Sequence, residues 1–340
     1  MRRRRLKRGR DTSAVYHVVT RTVNGALLFE APDLEMLRRM LWQAADFSGV
    51  QVLTYCLLAN HFHVLLRVPV TEPLGDQELV RRCRALYPKG RKNAYPQLGL
   101  PEAVDDPAAA VDALLQAGGA GADHIRRTLQ KRMGDVSEFM KTLKQRFTMW
   151  YNLEHERFGT LWAERFKSVL IEDEGFTLST VAAYIDLNPV RAKLVDDPKD
   201  YRWCGYAEAL GEGGGKIRAG LSSVVPSRDW TAVLENYRTI LFGKGSTPKP
   251  GDATAGCIPP EQARQVLADG GKLPTATVLR CRVRYFTEGV ALGSEGFVAG
   301  LMRTWQDAVA PSRNTPRPVG GSDAWGGLTV LRKPHRTMFG

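Results

Sequence analysis

The sequence predicts an α+β fold, an αβ sandwich on an antiparallel sheet, and three observations near its start carry that prediction. Ala14 to Thr22 is rich in β-branched and aromatic residues, as a strand requires. Asp33 to Phe47 repeats Leu34, Met36, Leu37, Met40, Leu41 and Ala44 at helical spacing. Val50 to Leu58 and His61 to Val68 are apolar runs separated by Ala59-Asn60, short enough for a hairpin turn. Strand, helix, strand, strand opens a split αβ sandwich.

The remaining elements follow in order. Periodicity weakens from about residue 71 to 134, and Pro107 to Asp123 is rich in Ala, Gly and Asp, so this stretch reads as a helical insertion with a flexible tip. Asp135-Val136-Ser137-Glu138 offers capping chemistry for a helix with Phe139, Leu143, Phe147 and Trp150 on one side and Lys141, Lys144 and Arg146 on the other. Phe166 to Ile171 reads as a short strand. Phe176 to Leu187 reads as a helix that starts at Thr177 or at the acidic turn before it. The Gly run within Gly211 to Gly220 marks a linker, followed by a helix around Thr231 to Leu241.

The domain expectation is therefore a basic arm over 1–13, a main domain over 14–210, a linker and helix over 211–256, a small all-α unit over 257–305 and a flexible tail over 306–340. In the all-α unit Pro259 to Leu267 reads as a helix start. The Gly293-Ser294 turn leading into a helix with Phe297 and Leu301 is compatible with a helix-turn-helix or with a small stabilising domain.

Of 340 residues, 48 are basic and 36 acidic, a formal net charge of +12. A polyanion, nucleic acid above all, is the partner such charge favours. No run approaches the roughly 20 apolar residues of a membrane helix, and the basic start from Arg2 to Arg8 lacks a following apolar signal core. Five scattered cysteines without a CxxC pair disfavour a disulfide scaffold or a zinc ribbon.

His61-Phe62-His63 is the most informative tripeptide. Strand alternation turns both imidazoles to one face, where they can share a metal ion, and sends Phe62 to the other. The alternative is a pair of ordinary half-buried histidines. Tyr184 and Asn188, at i and i+4, fall on one helix face and offer a nucleophile and an amide oxygen ligand. Alternatively Tyr184 packs in the core and Asn188, before Pro189, caps the helix. Arg157, Arg165, Lys167, Arg191, Lys193 and Arg202 lie among Trp150, Tyr151, Trp162, Phe166, Tyr201, Trp203 and Tyr206. Such cations can track phosphates while aromatic faces stack unpaired bases; the bland reading makes the aromatics core and the cations a solvated face.

Three ordered motifs, Tyr55-Cys56-Leu57-Leu58-Ala59-Asn60-His61-Phe62-His63-Val64-Leu65-Leu66, Gly159-Thr160-Leu161-Trp162-Ala163-Glu164-Arg165-Phe166-Lys167-Ser168 and Tyr184-Ile185-Asp186-Leu187-Asn188-Pro189-Val190-Arg191-Ala192, resemble the REP-associated tyrosine transposases. These are relatives of the single-tyrosine HUH transposases, and the resemblance spans about Val15 to Tyr206. It implies a ferredoxin-like HUH fold, with His61, His63 and Asn188 holding Mg²⁺ or Mn²⁺ and Tyr184 attacking DNA. It also implies a single-stranded hairpin DNA partner and a bacterial, cytoplasmic, nucleoid-associated setting, while the mingling of cations and aromatics makes Arg157, Trp162, Arg165, Lys167, Arg191 and Arg202 the expected DNA contacts. The chain departs from the family at Leu58-Ala59, where Met-Pro or Met-Ser is common, and at Trp203-Cys204-Gly205-Tyr206, where Trp-Ser-Ser-Tyr is common. A non-catalytic nucleic-acid-binding regulator is the competing function. A phosphohydrolase is disfavoured because no Asp or Glu cluster accompanies the histidine strand.

Overall fold

The computed structural model describes residues 6–9, 11–90, 93–95, 98, 100–242, 279, 285–305, 316–319 and 327–331. Strand β1 (Ala14–Arg21), helix α1 (Ala31–Ser48), strand β2 (Gln51–Leu58) and strand β3 (His61–Val68) open the chain. Helix α1 starts in a capping box between Glu30 and Asp33. It ends at Gly49, whose φ of 71° is the left-handed cap that favours glycine. Helix α5 (Val136–Glu154) is capped by the Asp135 side chain, which accepts from the N–H groups of Ser137 and Glu138. Strands β4 (Asn93–Tyr95) and β5 (Leu100–Val104) pair with each other before α5, and strand β6 (Lys167–Ile171), helix α6 (Gly175–Asp186) and the later helix α8 (Gly205–Leu210) follow it.

Strands β2, β3, β1 and β6 lie side by side in that order, each antiparallel to its neighbour. Alternation along β3 sorts what covers the sheet. Phe62 points to the α1 and α5 side, where its ring meets Trp162 at 5.7 Å and Trp162 meets Phe147 of α5 at 6.0 Å. Phe29 completes this cluster, 5.2 Å from Phe147. Each buried aromatic removes roughly 150–250 Å² from water, so this face carries much of the core stability. Helix α6 lies on the opposite face, with helices α9 (Gly215–Val224) and α10 (Trp230–Phe242) beside it.

Three expectations are corrected. Gly211–Gly220 is not simply a linker, because helix α9 begins within it and packs on β2. A Cβ at Gly220 would lie 2.5 Å from the Val52 carbonyl oxygen and 2.9 Å from that of Leu53, so glycine there serves a close helix-strand approach. The stretch Pro107 to Asp123 is not a flexible tip. Helix α3 (Pro107–Ala117) and helix α4 (Gly119–Lys131) pack Val111, Leu115, Ile125 and Leu129 with helix α2 (Asp76–Leu86) into a second core, which Phe47 of α1 joins to the main body. Alanine supports helix without supplying periodicity, which is why the pattern concealed it.

The third correction concerns the C-terminal segment. Between α11 (Tyr285–Glu288) and α12 (Glu295–Trp305) runs β7 (Ala291–Gly293), buried and paired parallel to β6. Strands β9 (Thr329–Leu331) and β8 (Pro316–Pro318) extend the sheet to seven strands. The unit is thus neither all-α nor a helix-turn-helix between α11 and α12, and the tail contributes strands. The helix start at Pro259 to Leu267, Cys257 and Cys281 lie outside the described residues, as do Arg2 to Arg5 of the basic arm. Lys7 of that arm donates to both Asp135 carboxylate oxygens, at 2.7 and 2.9 Å. No helix among the described residues is long and apolar enough to cross a membrane.

Candidate active site on the histidine face

Register fixes which side chains share the face of His61 and His63. Val19 of β1 and Cys56 of β2 stand opposite His63, and Arg21 and Leu58 stand opposite His61. His17, two residues before Val19, therefore projects from the same face as a diagonal neighbour of His63. The sequence reading missed His17. The signal for it, a histidine of matching parity on β1, becomes visible only once β1 and β3 are in register.

The three imidazoles form a row. The His61 and His63 ring centroids are 5.2 Å apart, and those of His17 and His63 are 5.1 Å apart and stacked. Nδ1 of His61 is 2.6 Å from Oδ1 of Asn60. Nδ1 of His63 is 2.9 Å from Nε2 of His17, whose own Nδ1 is 2.6 Å from the Phe286 carbonyl oxygen. Burial pushes the His17 imidazole down to about 4, against the Phe286 hydrogen bond, and Arg191 adds to the depression. Burial also pushes His63 well below the usual histidine range, reinforced by His17, His61 and Arg191. Both rings are therefore neutral at neutral pH, the form that ligates metals.

Tyr184 reaches this row from α6, a helix buried on nearly all sides. Its ring is edge-on to His17 at 6.2 Å and to His63 at 6.3 Å. Phe286 stands edge-on against it at 4.8 Å, and Tyr184 is only 1% exposed. The Arg191 guanidinium lies 3.9 Å from the Tyr184 ring centroid. It is held there by donating to the Leu279 carbonyl at 2.6 Å and to the Tyr184 carbonyl at 2.5 Å. A cation over a desolvated ring is attracted to it by about 2 kcal/mol, which holds the Arg191 guanidinium against Tyr184.

Helix α6 ends at Asp186, and the short helix α7 (Asn188–Arg191) begins immediately after, so the Asn188-Pro189 break falls where proline chemistry predicts. Asn188 donates its amide N–H to the carbonyls of Ile185 at 2.9 Å and Tyr184 at 3.3 Å. The side chain thereby caps the helix that carries Tyr184, and its amide oxygen is the atom left to act as an acceptor or ligand.

Asp186, one step from that cap, was also not anticipated as part of the site. It is fully buried and accepts from Thr54 of β2 at 2.8 Å, from the Tyr237 hydroxyl of α10 at 2.5 Å and from the Tyr206 N–H at 3.2 Å. Burial pushes its carboxyl up to about 7 despite these hydrogen bonds. The result ties α6 to β2, to α10 and to the backbone at Tyr206.

The expected DNA contacts divide. Arg165 and Lys167 are exposed, and Lys167, opposite Val19, lies on the histidine face with a 3.4 Å ion pair to Glu164. Arg157 is half-buried, 5.7 Å from the Tyr151 ring. Arg191 is tied to Tyr184 as described. Arg202 pairs with Glu35 of α1, on the side of the sheet away from the histidines. Trp162 is a correction: at 8% exposure it packs against Phe62 and donates to Thr148, so its ring is core and not a stacking platform for bases.

Among the described residues no group of three or more His, Cys, Asp or Glu is set to hold a metal ion. His61 and His63 supply imidazole donors on one strand face, and Asn188, at the start of α7, offers its amide oxygen as the third expected donor. This donor set suits Mn²⁺ and later divalent metals and is compatible with Mg²⁺ through oxygen ligands.

No protein-family profile and no curated protein matches the chain. Among solved structures, a REP-associated tyrosine transposase bound to a REP hairpin is similar at 14% identity and a TM-score of 0.38, over 63% of this chain and 87% of that one.

Proposed function

We propose that this chain is a divalent-metal-dependent nickase and strand transferase of the single-tyrosine HUH type, acting on single-stranded, hairpin-forming DNA such as repetitive extragenic palindromes. The observation that carries this reading is the convergence of Tyr184 on His63 and His17, from segments more than 100 residues apart in sequence, at ring separations near 6 Å. Two further features support it. The β1-α1-β2-β3-α5-β6 succession, with neighbours in the order β2-β3-β1-β6, is the connectivity a ferredoxin-like core requires. The net charge of +12 and the exposed Arg165 and Lys167 suit a polyanion.

In the proposed reaction the Tyr184 phenolic oxygen attacks phosphorus, a P–Oη bond forms and the P–O3′ bond breaks. The phenolic proton passes to water and the departing O3′ takes up a proton, leaving a 5′-phosphotyrosine and a free 3′-OH. Another 3′-OH reverses the step, so strands rejoin without an external energy source. A divalent ion held by His61, His63 and Asn188 would polarise a non-bridging phosphate oxygen. Arg191 holds the Tyr184 ring and backbone in place, Asn188 fixes the end of its helix, and Asp186 ties that helix to β2. Tyr184 is 1% exposed, so a phosphodiester reaches it only if side chains packed around it, Phe286 among them, move.

That burial is also the observation favouring the second reading, a DNA-binding regulator that does not cut. One experiment separates the two. Hairpin-forming single strands from palindromes flanking the gene are incubated with the protein and Mn²⁺ or Mg²⁺, and a denaturing gel is read for a cut strand and a protein-DNA adduct. Metal-dependent adduct with wild type and none with Tyr184→Phe or EDTA supports the transferase. Tight hairpin binding without cleavage under either metal assigns the chain to the regulator, and cleavage by Tyr184→Phe at the wild-type rate removes Tyr184 from the mechanism.

A further inference from the structure

We infer that His17 is a positioning residue that sets the tautomer of His63, and that the chain of protons fixing it begins at the backbone carbonyl of Phe286. The tautomer claim stands on hydrogen-bond chemistry alone; its consequence for metal binding rests on the proposed function.

A carbonyl oxygen carries no proton, so in the 2.6 Å contact with Phe286 the donor is Nδ1 of His17. A neutral imidazole has one N–H, and with that proton on Nδ1 the Nε2 atom of His17 carries a bare lone pair. The 2.9 Å contact between this atom and Nδ1 of His63 is then a hydrogen bond only if His63 donates. His63 is left with its lone pair on Nε2. Both rings are buried, at 0% and 4% exposure, and no carboxylate among the described residues pairs with either, so a protonated, two-donor imidazole has no counter-ion here.

The direction is thus imposed from outside the histidine strand. Ligating histidines elsewhere are oriented by a partner that accepts from their second ring nitrogen, and loss of that partner typically costs 10–100-fold in metal affinity. Here the partner is another imidazole, itself oriented by a carbonyl of α11. Strand β3 thereby receives its correct tautomer from β1 and from a segment more than 200 residues further along the chain.

The test is to label the histidines with ¹⁵N and record long-range ¹H–¹⁵N correlations on the metal-free full chain. With six histidines in the sequence, single His→Gln variants assign the spectrum. The expected result is His63 and His17 both protonated at Nδ1. His63 protonated at Nε2, or divided equally between tautomers, overturns the inference. Mn²⁺ binding by calorimetry supplies the second readout. His17→Leu is expected to lose about 10-fold or more in Mn²⁺ affinity and to mix the His63 tautomers, and His17→Gln, whose amide oxygen can accept from His63, to restore both in part. Unchanged tautomer and affinity in His17→Leu overturn it as well. If His17→Leu does not fold, the wild-type spectrum decides. A correct tautomer in a protein that never cuts DNA would contradict the proposed function and leave this inference intact.

Discussion

On one side of β3, Phe62 meets Trp162 at 5.7 Å within a cluster that also holds Phe29, Phe147 and Tyr151. On the other side, one residue along the strand but across the sheet in space, His63 is hydrogen-bonded to His17 and faced by Tyr184. Both sides are buried, yet only the first gains from burial. The second surrounds histidines, a tyrosine, an arginine and a carboxylate with protein, and each must be partnered to offset its lost hydration. A packed face needs volume and apolarity, whereas the histidine face needs particular atoms in particular protonation states. That cost, held on a central strand of the sheet, is what the proposed function accounts for.

Substitutions of adjacent residues break the comparison most sharply. His63→Ala should reduce adduct formation to the level seen with EDTA and cost about 1–3 kcal/mol of stability, the range for a buried partner left unsatisfied. Phe62→Ala should do the reverse, destabilising by about 3–5 kcal/mol in urea unfolding while the purified, folded protein still binds Mn²⁺. Equal losses of metal binding in the two variants would erase the distinction between the faces.

Asp186 gives a smaller, pH-dependent effect. Its carboxyl titrates at about 7 in the folded chain against an ordinary value of 3.8, so between those values the folded state holds a proton that the unfolded state has lost. Its contribution to stability is therefore complete below about pH 4 and is lost as pH rises through 7, with a slope of at most about 1.4 kcal/mol per pH unit. The difference in urea stability between wild type and Asp186→Asn should fall over that interval and level off above it. A difference that rises with pH would have the wrong sign. The smallest effect is expected at Lys167 on the histidine side: Lys167→Ala should lower the salt slope of hairpin binding by about 1 and leave sequence preference unchanged.

Much of this was legible in the sequence. The β3 span His61–Val68 coincides with the apolar run, and β1, α1, β2, β6, α6 and α10 fall within about two residues of their periodic segments, because amphipathic and alternating patterns report burial directly. The pairing of Tyr184 with Asn188 was legible too, although the structure uses Asn188 as the helix cap that spacing alone left as an alternative. Three kinds of feature were not legible. Helix α9 was hidden by a run of glycines, of which Gly220 serves the close approach to β2. Strands β7 to β9 have three residues each, too few to show a period. His17 and Asp186 belong to the site through register and tertiary contact, which a hairpin turn between β2 and β3 does not specify. Trp162 was misread as a base platform because an aromatic between cations looks the same in sequence whether it faces water or Phe62.

The central claim is that the histidine face performs transesterification with Tyr184 as nucleophile. The most direct measurement is peptide mass spectrometry of the protein recovered after incubation with hairpin DNA and Mn²⁺ and then digested with nuclease and protease. The account predicts a nucleotide-5′-phosphate mass on the α6 peptide, fragmenting to Tyr184. The same mass on Tyr16, Tyr55, Tyr206, Tyr237 or any other residue, or a cut strand with no modified peptide, would contradict it.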